Sequence, residues 1–547
     1  MVNLGRRISS NTMRLNYIFS YLFFWQLKSE LRIKLSICKK ILLKTKINDF
    51  QDKFSYLRFY IPSKKTAKGI VLLDEFLVPQ WVLVNSVVAQ FVAQKNNSSI
   101  ATFGFNPRSN FSEGLFRSFS ANQHFTIVIK TRKLIRIVSD LIRILNLVRD
   151  KSELKSLEIR NVRVGIDIYE SILRAGVPTV LIGSPRYFRA VVQGVVALNF
   201  YEWLIERKRV STVLLSHDAY IGIGLLGKVA HKYDIPVYHA NPYEIIRTKK
   251  SFEIYERFTS YPHYFNSVDI ESREALTKIA QEDLARRLSG EIGVGLTHQT
   301  MSAFQQSGDY VFDSPESRKA LIATHCFFDN PHGYAEMIFA DFWEWLDFLG
   351  ESTRGSNLEW YLKPHRDYLP GTLENLQQFA SRFPHLRILP ADTSFHYLKH
   401  NNFEVALTCY GSIGHELPLL GIAVVNCAYN PHIAYNFNVH CGSKEEIIHT
   451  LELLESSRPE INIDGLEEFY VVHNFLMRQD NFFFPSMTSY LEYVGDPLDF
   501  ERCNKFVCES WEVIAARFKL ILEEYLSQEQ PNSTVYFLSK EKILHVD

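Results

Sequence analysis

No CxxC pair occurs in this 547-residue sequence. Its seven cysteines, Cys38, Cys326, Cys409, Cys427, Cys441, Cys503 and Cys508, are odd in number, and several lie in apolar runs. That pattern argues against a disulfide framework, and Cys503 and Cys508, two thiols without a His partner, argue against a thiolate zinc site; it predicts reduced core residues of a cytosolic protein. Net charge is also missing: 61 Lys and Arg stand against 60 Asp and Glu. A balance this close argues against nucleic acid as a partner. There is no internal repeat and no low-complexity tract. The amino-terminal apolar run, Met13 to Trp25, is broken by Arg14, Asn16 and Ser20. It is shorter than the ~20 residues that span a bilayer. No small-residue cleavage site follows it, so a signal peptide is not expected.

What is present begins with charge. Ten basic residues and one acid, Glu30, lie between Met1 and Lys46. A basic, aromatic-rich segment of this kind suits an anionic membrane surface, and equally a helix packed on the protein body. From Lys68 onward, apolar strands alternate with helical stretches: Lys68–Leu73, Ser99–Phe105, Val210–Ser216 and Pro236–Ala240 read as strands. A helical connector over Ser272–Leu288 follows. A second alternating unit then includes the strands Leu358–Lys363, Leu386–Leu389, Val405–Cys409 and Ile422–Asn426. Strand, crossover and strand at this spacing predict parallel sheets flanked by helices. The expected division is 1–65, a basic aromatic-rich helical extension; 66–290, an amino-terminal Rossmann-like domain; 291–500, a carboxyl-terminal Rossmann-like domain; and 501–547, a helical tail. Two doubly wound halves imply a cleft between them, with ligands at the carboxyl ends of strands.

Two strand ends concentrate the chemistry. After Val405–Cys409 comes Tyr410-Gly411-Ser412-Ile413-Gly414-His415-Glu416. Gly411 and Gly414 permit tight turning and close backbone approach. Ser412 is placed to cap the next helix, whose first N–H groups favour an anion such as phosphate. Glu416, one turn on, is placed at the rim to accept hydrogen bonds from ribose hydroxyls. Alternatively, this is an ordinary strand–turn–helix with a capping serine. The second end is Lys363-Pro364-His365-Arg366. Pro364 stops the strand, and Lys363, His365 and Arg366 can stabilise a leaving phosphate. A solvated basic turn is the plainer alternative.

These residues carry a resemblance. A strand ending in Lys-Pro-His, followed by Ser-x-x-x-Glu and Gly-x-x-Val-Val, resembles the nucleotide-sugar half of bacterial capsule-type glycosyltransferases of the GT-B fold. It is similar to the capsule polysaccharide Kdo transferases and, more distantly, to the polysialyltransferases. His365 matches the family's His, and Ser412 and Glu416 match its second motif. Arg366 stands where the family has Pro. The stretches His325–Trp345, with Asp329, His332 and Asp341, Val164–Arg174 and Glu468–His473 resemble surface-polysaccharide proteins of the same kind. The resemblance implies an α/β chain of two Rossmann-like domains of GT-B type. It also implies transfer of a sugar from a nucleotide-sugar donor to a glycan or lipid-linked glycan acceptor, with no metal and no cofactor. No DxD-type pair follows a suitable strand.

The amino-terminal half should then supply the base. Candidates are Asp167 first, then His217, Glu170 and Asp218, with Asp74 and Glu75 behind the first strand. Asp329 and His332 are expected near the cleft or in a turn. The expected location is cytoplasmic, peripheral on the inner face of the membrane. Alternatives are a polyol-phosphate transferase of teichoic-acid type, a sugar-nucleotide epimerase, and a non-catalytic polysaccharide assembly protein.

Overall fold

The computed structural model describes residues 20–22, 26–36, 48, 51–61, 67–248, 256–292, 302–305, 310–334, 337–366, 368–458, 460–477, 483–484, 490, 493–494, 499–516 and 519. Most of the basic extension and of the helical tail therefore lies outside the described residues. The chain forms two compact units. Of the described residues, those up to Ile172, 180–248 and 483–519 belong to the first. Leu173–Thr179 and 256–477 belong to the second.

The first unit is built on the apolar strand β1 (Gly69–Leu73), with β2 (Ser98–Gly104) and β3 (Gln123–Thr126) on one side. On the other side lie β4 (Val210–Leu215), β5 (Val237–Ala240) and β6 (Ile245–Thr248). The order is β3-β2-β1-β4-β5-β6, parallel except for the antiparallel edge strand β6. Val71, Leu72, Val213 and Leu215 are fully buried, as strands covered on both faces require. The covering helices include α1 (Pro79–Lys95), α2 (Leu134–Leu147), α3 (Gly165–Arg174), α4 (Pro185–Lys208) and α5 (Leu225–Lys232).

The second unit contains helix α6 (Ile270–Leu288), the connector expected from sequence. Leu276, Ala280 and Leu284 on α6 pack against Phe469 and Tyr470, so those aromatics are core residues. The sheet comprises β7 (Lys319–Ala323), β8 (Glu359–Lys363), β9 (Leu386–Ile388), β10 (Phe403–Thr408), β11 (Ala423–Asn426) and β12 (Val439–His440). Its order is β9-β8-β7-β10-β11-β12, and every pairing is parallel. Helices α7 (Phe342–Ser352), α8 (Thr372–Arg382), α9 (Ile413–Leu419) and α10 (Lys444–Ser456) accompany it.

Two Rossmann-like sheets, one per unit, are what the strand–helix alternation predicts. In each, the chain runs outward from the central strand and returns to its other side. The direction therefore reverses between β1 and β4, and again between β7 and β10. Open α/β sheets bind ligands at the carboxyl ends of strands flanking such a reversal. Five described cysteines, Cys326, Cys409, Cys427, Cys441 and Cys503, are buried and free, while Cys508 is exposed. Among the described residues, no helix is long and apolar enough to cross a membrane.

Candidate functional site

At the β7/β10 reversal, the second unit holds a cavity of about 580 Å³. Its walls come from three strand ends: Thr324 and His325 after β7, Lys363 to Arg366 at the end of β8, and Thr408 to Glu416 after β10. The two motifs singled out in the sequence thus line one cavity. Gly411 takes φ +118°, a conformation that L side chains rarely adopt. Gly414 is constrained differently. A Cβ there would lie 2.5 Å from His432 Cε1, so its role is close packing against His432. His432 Nε2 in turn meets His415 Nδ1 at 3.1 Å, and burial holds the His415 pKa down at about 4.

Ser412 does not cap. Its backbone is already helical (φ −59°, ψ −26°), with no side-chain cap bond. Its Oγ instead donates to Glu416 Oε2 at 3.2 Å. The helix α9 has only seven residues, so its dipole is a small contribution. Glu416 is not on the rim. It is 1% exposed, and Arg287 from α6 donates Nε–H to its Oε1 at 2.7 Å. Arg287 also donates to Ser302 Oγ and to the Glu291 carbonyl. The cavity-facing wall therefore contains a carboxylate already neutralised by an arginine.

The basic strand end is likewise more occupied than a bare turn. Lys363 is buried, with Nζ donating to the Ala391 carbonyl at 2.8 Å. Burial, and the Arg366 charge beside it, bring its pKa from 10.5 down to about 7. Arg366 donates to the carbonyls of Ser302 and Asp392. His365 is exposed and lines the cavity.

His325 was not a sequence candidate. Its Nε2 meets the Thr408 hydroxyl at 3.2 Å and the Cys409 N–H at 3.3 Å. Phe342 stacks on the ring at 4.6 Å, and Tyr410 packs against it at 4.7 Å. Burial, with His365 adding to it, holds its pKa down at about 3. His325 is thus a neutral imidazole in the cavity wall. Its position directly after the central strand was the signal available in the sequence.

At the β1/β4 reversal of the first unit, Asp74 Oδ2 accepts from the Ser216 N–H at 2.5 Å and from its hydroxyl at 2.9 Å. Ser216 Oγ lies 2.7 Å from His217 Nδ1. With the hydroxyl proton directed to Asp74, His217 donates Nδ1–H to Ser216, and its basic lone pair is on Nε2. Burial raises the Asp74 pKa to about 6 against the bonds from Ser216 and Phe76. Next to this, Glu75 accepts from Arg108 at 2.6 Å and contacts His124 at 2.9 Å. Asp167 and Glu170 do share a helix, α3, but both are buried. Asp167 is fully buried and accepts from Lys228 at 2.6 Å. Burial pushes its pKa up to about 6 despite Lys228. A base must touch its substrate, so the reachable members of the sequence-ranked set are His217 and Asp218, both half-buried.

No family model matches the chain, and no curated protein matches it. Among solved structures, the chain is similar to a β-Kdo 2,4 transferase from Thermosulfurimonas dismutans, at 13% identity over 49% of this chain and 80% of that one, with a TM-score of 0.31. It is similar to a UDP-N-acetylglucosamine 2-epimerase from Rickettsia bellii at 13% identity, over 78% and 98% of the two chains, with a TM-score of 0.24. It is also similar to the wall teichoic acid polymerase TagF at 10% identity, over 92% and 99%, with a TM-score of 0.19. Identity and TM-score are low in each case, and the functional reading rests on the geometry of the sites.

The remaining sequence candidates divide. Asp329 is exposed, lines the cavity and lies 3.8 Å from Arg174. His332 is buried in the turn that Asn330 organises, with its amide donating to Asn330 Oδ1 at 3.0 Å. Asp341 caps α7 through the Glu344 N–H and accepts from Thr179 at 2.7 Å. It serves structure. Among the described residues, no group of three or more His, Cys, Asp or Glu side chains is placed to hold a metal ion.

Proposed function

We propose that the protein is a glycosyltransferase that moves a sugar from a nucleotide-activated donor to a growing capsule or other surface polysaccharide. The observation that carries this reading is the cavity at the β7/β10 reversal. There a basic strand end, a left-handed glycine turn and a neutral imidazole converge where an α/β sheet takes nucleotide ligands. In this reading Lys363, His365 and Arg366 stabilise the leaving phosphate, and the turn at Gly411 and Ser412 seats it. Glu416, whose Oε1 is taken by Arg287, meets the ribose through Oε2, the oxygen that also accepts from Ser412. His217 removes the acceptor proton, with Asp218 beside it. The basic amino-terminal segment contacts an anionic membrane, placing the enzyme on its cytoplasmic face.

The test is a thermal-shift screen with CMP, UDP, GDP and their sugar conjugates on wild type and His365→Ala. A ligand at a hundred times its dissociation constant stabilises a fold by about 2.7 kcal/mol. One nucleotide class should shift wild type and shift the variant less. No shift with any of them sinks the donor-site reading. Donor hydrolysis separates the alternatives: a sugar transferase sets free the sugar, a polyol-phosphate transferase the polyol phosphate.

Lys363 gives the site a pH signature. With a pKa of about 7 in place of 10.5, it is largely neutral in the folded protein across that window, whereas the unfolded chain stays protonated. Stability from this group therefore rises as pH increases through the window. A bound phosphate favours the charged form, so nucleotide binding above pH 7 should take up a proton, and affinity should fall as pH rises. Calorimetry in buffers of different protonation enthalpy reads the uptake. Lys363→Met should abolish it, and uptake that survives this change would remove Lys363 from the phosphate site.

A further inference from the structure

Helix α2 has three stripes where a surface helix ordinarily has two. Its inner stripe, Ile137, Asp140, Leu141 and Ile144, is buried, and the helix packs on α4. A second stripe of Leu134, Ile135, Val138, Ile142 and Leu145 spans about 100° of the helix circumference at 3.6 residues per turn. It faces outward: Ile135 is 87% exposed, Ile142 43% and Leu134 42%. The third stripe carries Arg136 and Arg143 with Ser139 and Asn146.

Like the amino-terminal segment, this face is basic in a nearly neutral chain. Residues 130–149 hold six basic side chains and one acid, Asp140. That acid is buried and bound by Arg160 at 2.6 Å. Lys133 and Arg136 have partners in Glu206 and Glu202. Arg132, Arg143 and Arg149 are exposed, with no ion pair among the described residues. A second amphipathic helix adjoins the start of α2. Residues 26–36 are helical, and the Gln26 side chain accepts the Ile129 N–H at 3.3 Å. Leu27, Leu31 and Leu35, each more than half exposed, recur every four residues along it, with Lys28 and Arg32 beside them.

An exposed aliphatic stripe bordered by unpaired arginines matches a surface that is apolar below and anionic above. We propose that the outer face of α2, together with the helix at 26–36, docks the protein on an anionic lipid bilayer, lying in the interface plane with Ile135 and Ile142 inserted among the acyl chains. This surface is independent of the nucleotide cavity; it extends to α2 the membrane contact proposed above for the basic amino-terminal segment, in which the helix at 26–36 lies. It is also distinct from the first 19 residues. Each basic residue near an anionic surface adds roughly fivefold to binding, and salt screens that part.

The experiment is co-sedimentation of the full chain with vesicles of phosphatidylcholine containing roughly 30% phosphatidylglycerol, and with pure phosphatidylcholine. Wild type should bind the mixed vesicles, bind pure phosphatidylcholine weakly, and release at high salt. The variant Ile135→Glu/Ile142→Glu should bind about tenfold more weakly or worse, as should Arg132→Glu/Arg143→Glu. Ile135 is almost fully exposed, so folding should survive, and circular dichroism checks this. Val311→Glu, at a position 85% exposed in the second unit, should bind like wild type. The proposal is overturned if wild type ignores anionic vesicles, if the α2 variants bind as wild type does, or if Val311→Glu loses binding equally. It is also overturned if light scattering shows a dimer that Ile135→Glu dissolves without any vesicle binding.

Discussion

Turnover of a His217→Ala variant should fall by about 10²- to 10⁴-fold, the usual contribution of a positioned general base, while nucleotide-induced stabilisation stays as in wild type. The expectation follows from proton placement. The ionised Asp74 carboxylate takes the Ser216 hydroxyl proton, Ser216 takes Nδ1–H of His217, and Nε2 is left as the base. Asp74→Asn and Ser216→Ala should each lower turnover by less than His217→Ala, because they misorient the imidazole without removing it. The Asp74 pKa of about 6 adds a pH dependence. As pH falls through 6 the carboxyl protonates and no longer needs the serine proton, so the relay loosens and activity should decline. Added imidazole should partly rescue His217→Ala. Full activity in that variant would remove His217 from the reaction and return attention to Asp218.

Arg287→Ala should destabilise the fold by about 3–5 kcal/mol, the cost of leaving one member of a buried ion pair uncompensated. Arg287 and Glu416 side chains are 3% and 2% exposed at 2.7 Å. Glu416→Ala should cost a similar amount and also free the Ser412 hydroxyl. Loss of nucleotide binding in Glu416→Ala would therefore mix a damaged fold with a damaged site. Glu416→Gln keeps shape and hydrogen bonding, and is the variant in which a binding change reports on the ligand. The double variant Arg287→Met/Glu416→Leu should recover much of the lost stability, since well-packed apolar residues replace buried pairs at little or no net cost. Denaturant unfolding of wild type and the four variants measures both effects. An Arg287→Ala protein as stable as wild type would mean that the pair is solvated in solution.

The strand–helix alternation was legible from residue 68 onward because strands covered on both faces read as continuous apolar runs, such as Ile70-Val71-Leu72-Leu73. The same logic located both strand ends that line the cavity, since Pro364 and Gly411 interrupt those runs. Ser412 was misjudged as a cap because capping depends on the backbone angles of one residue, and its backbone is already helical. Asp167 led the candidate bases on helical spacing, yet spacing does not reveal that Lys228, 61 residues later, would bury it in an ion pair.

From residues alone came the period of the alternation, the places where strands stop, and the pairing of a basic turn with a glycine turn, all consequences of local chemistry. Which carboxylates stay reachable was settled by folding. Arg287 and Glu416 are 129 residues apart, and His325 is bound at Nε2 by an amide 84 residues away. Burial and long-range partners set the charge and access of each side chain, and neither is encoded within a window of neighbouring residues.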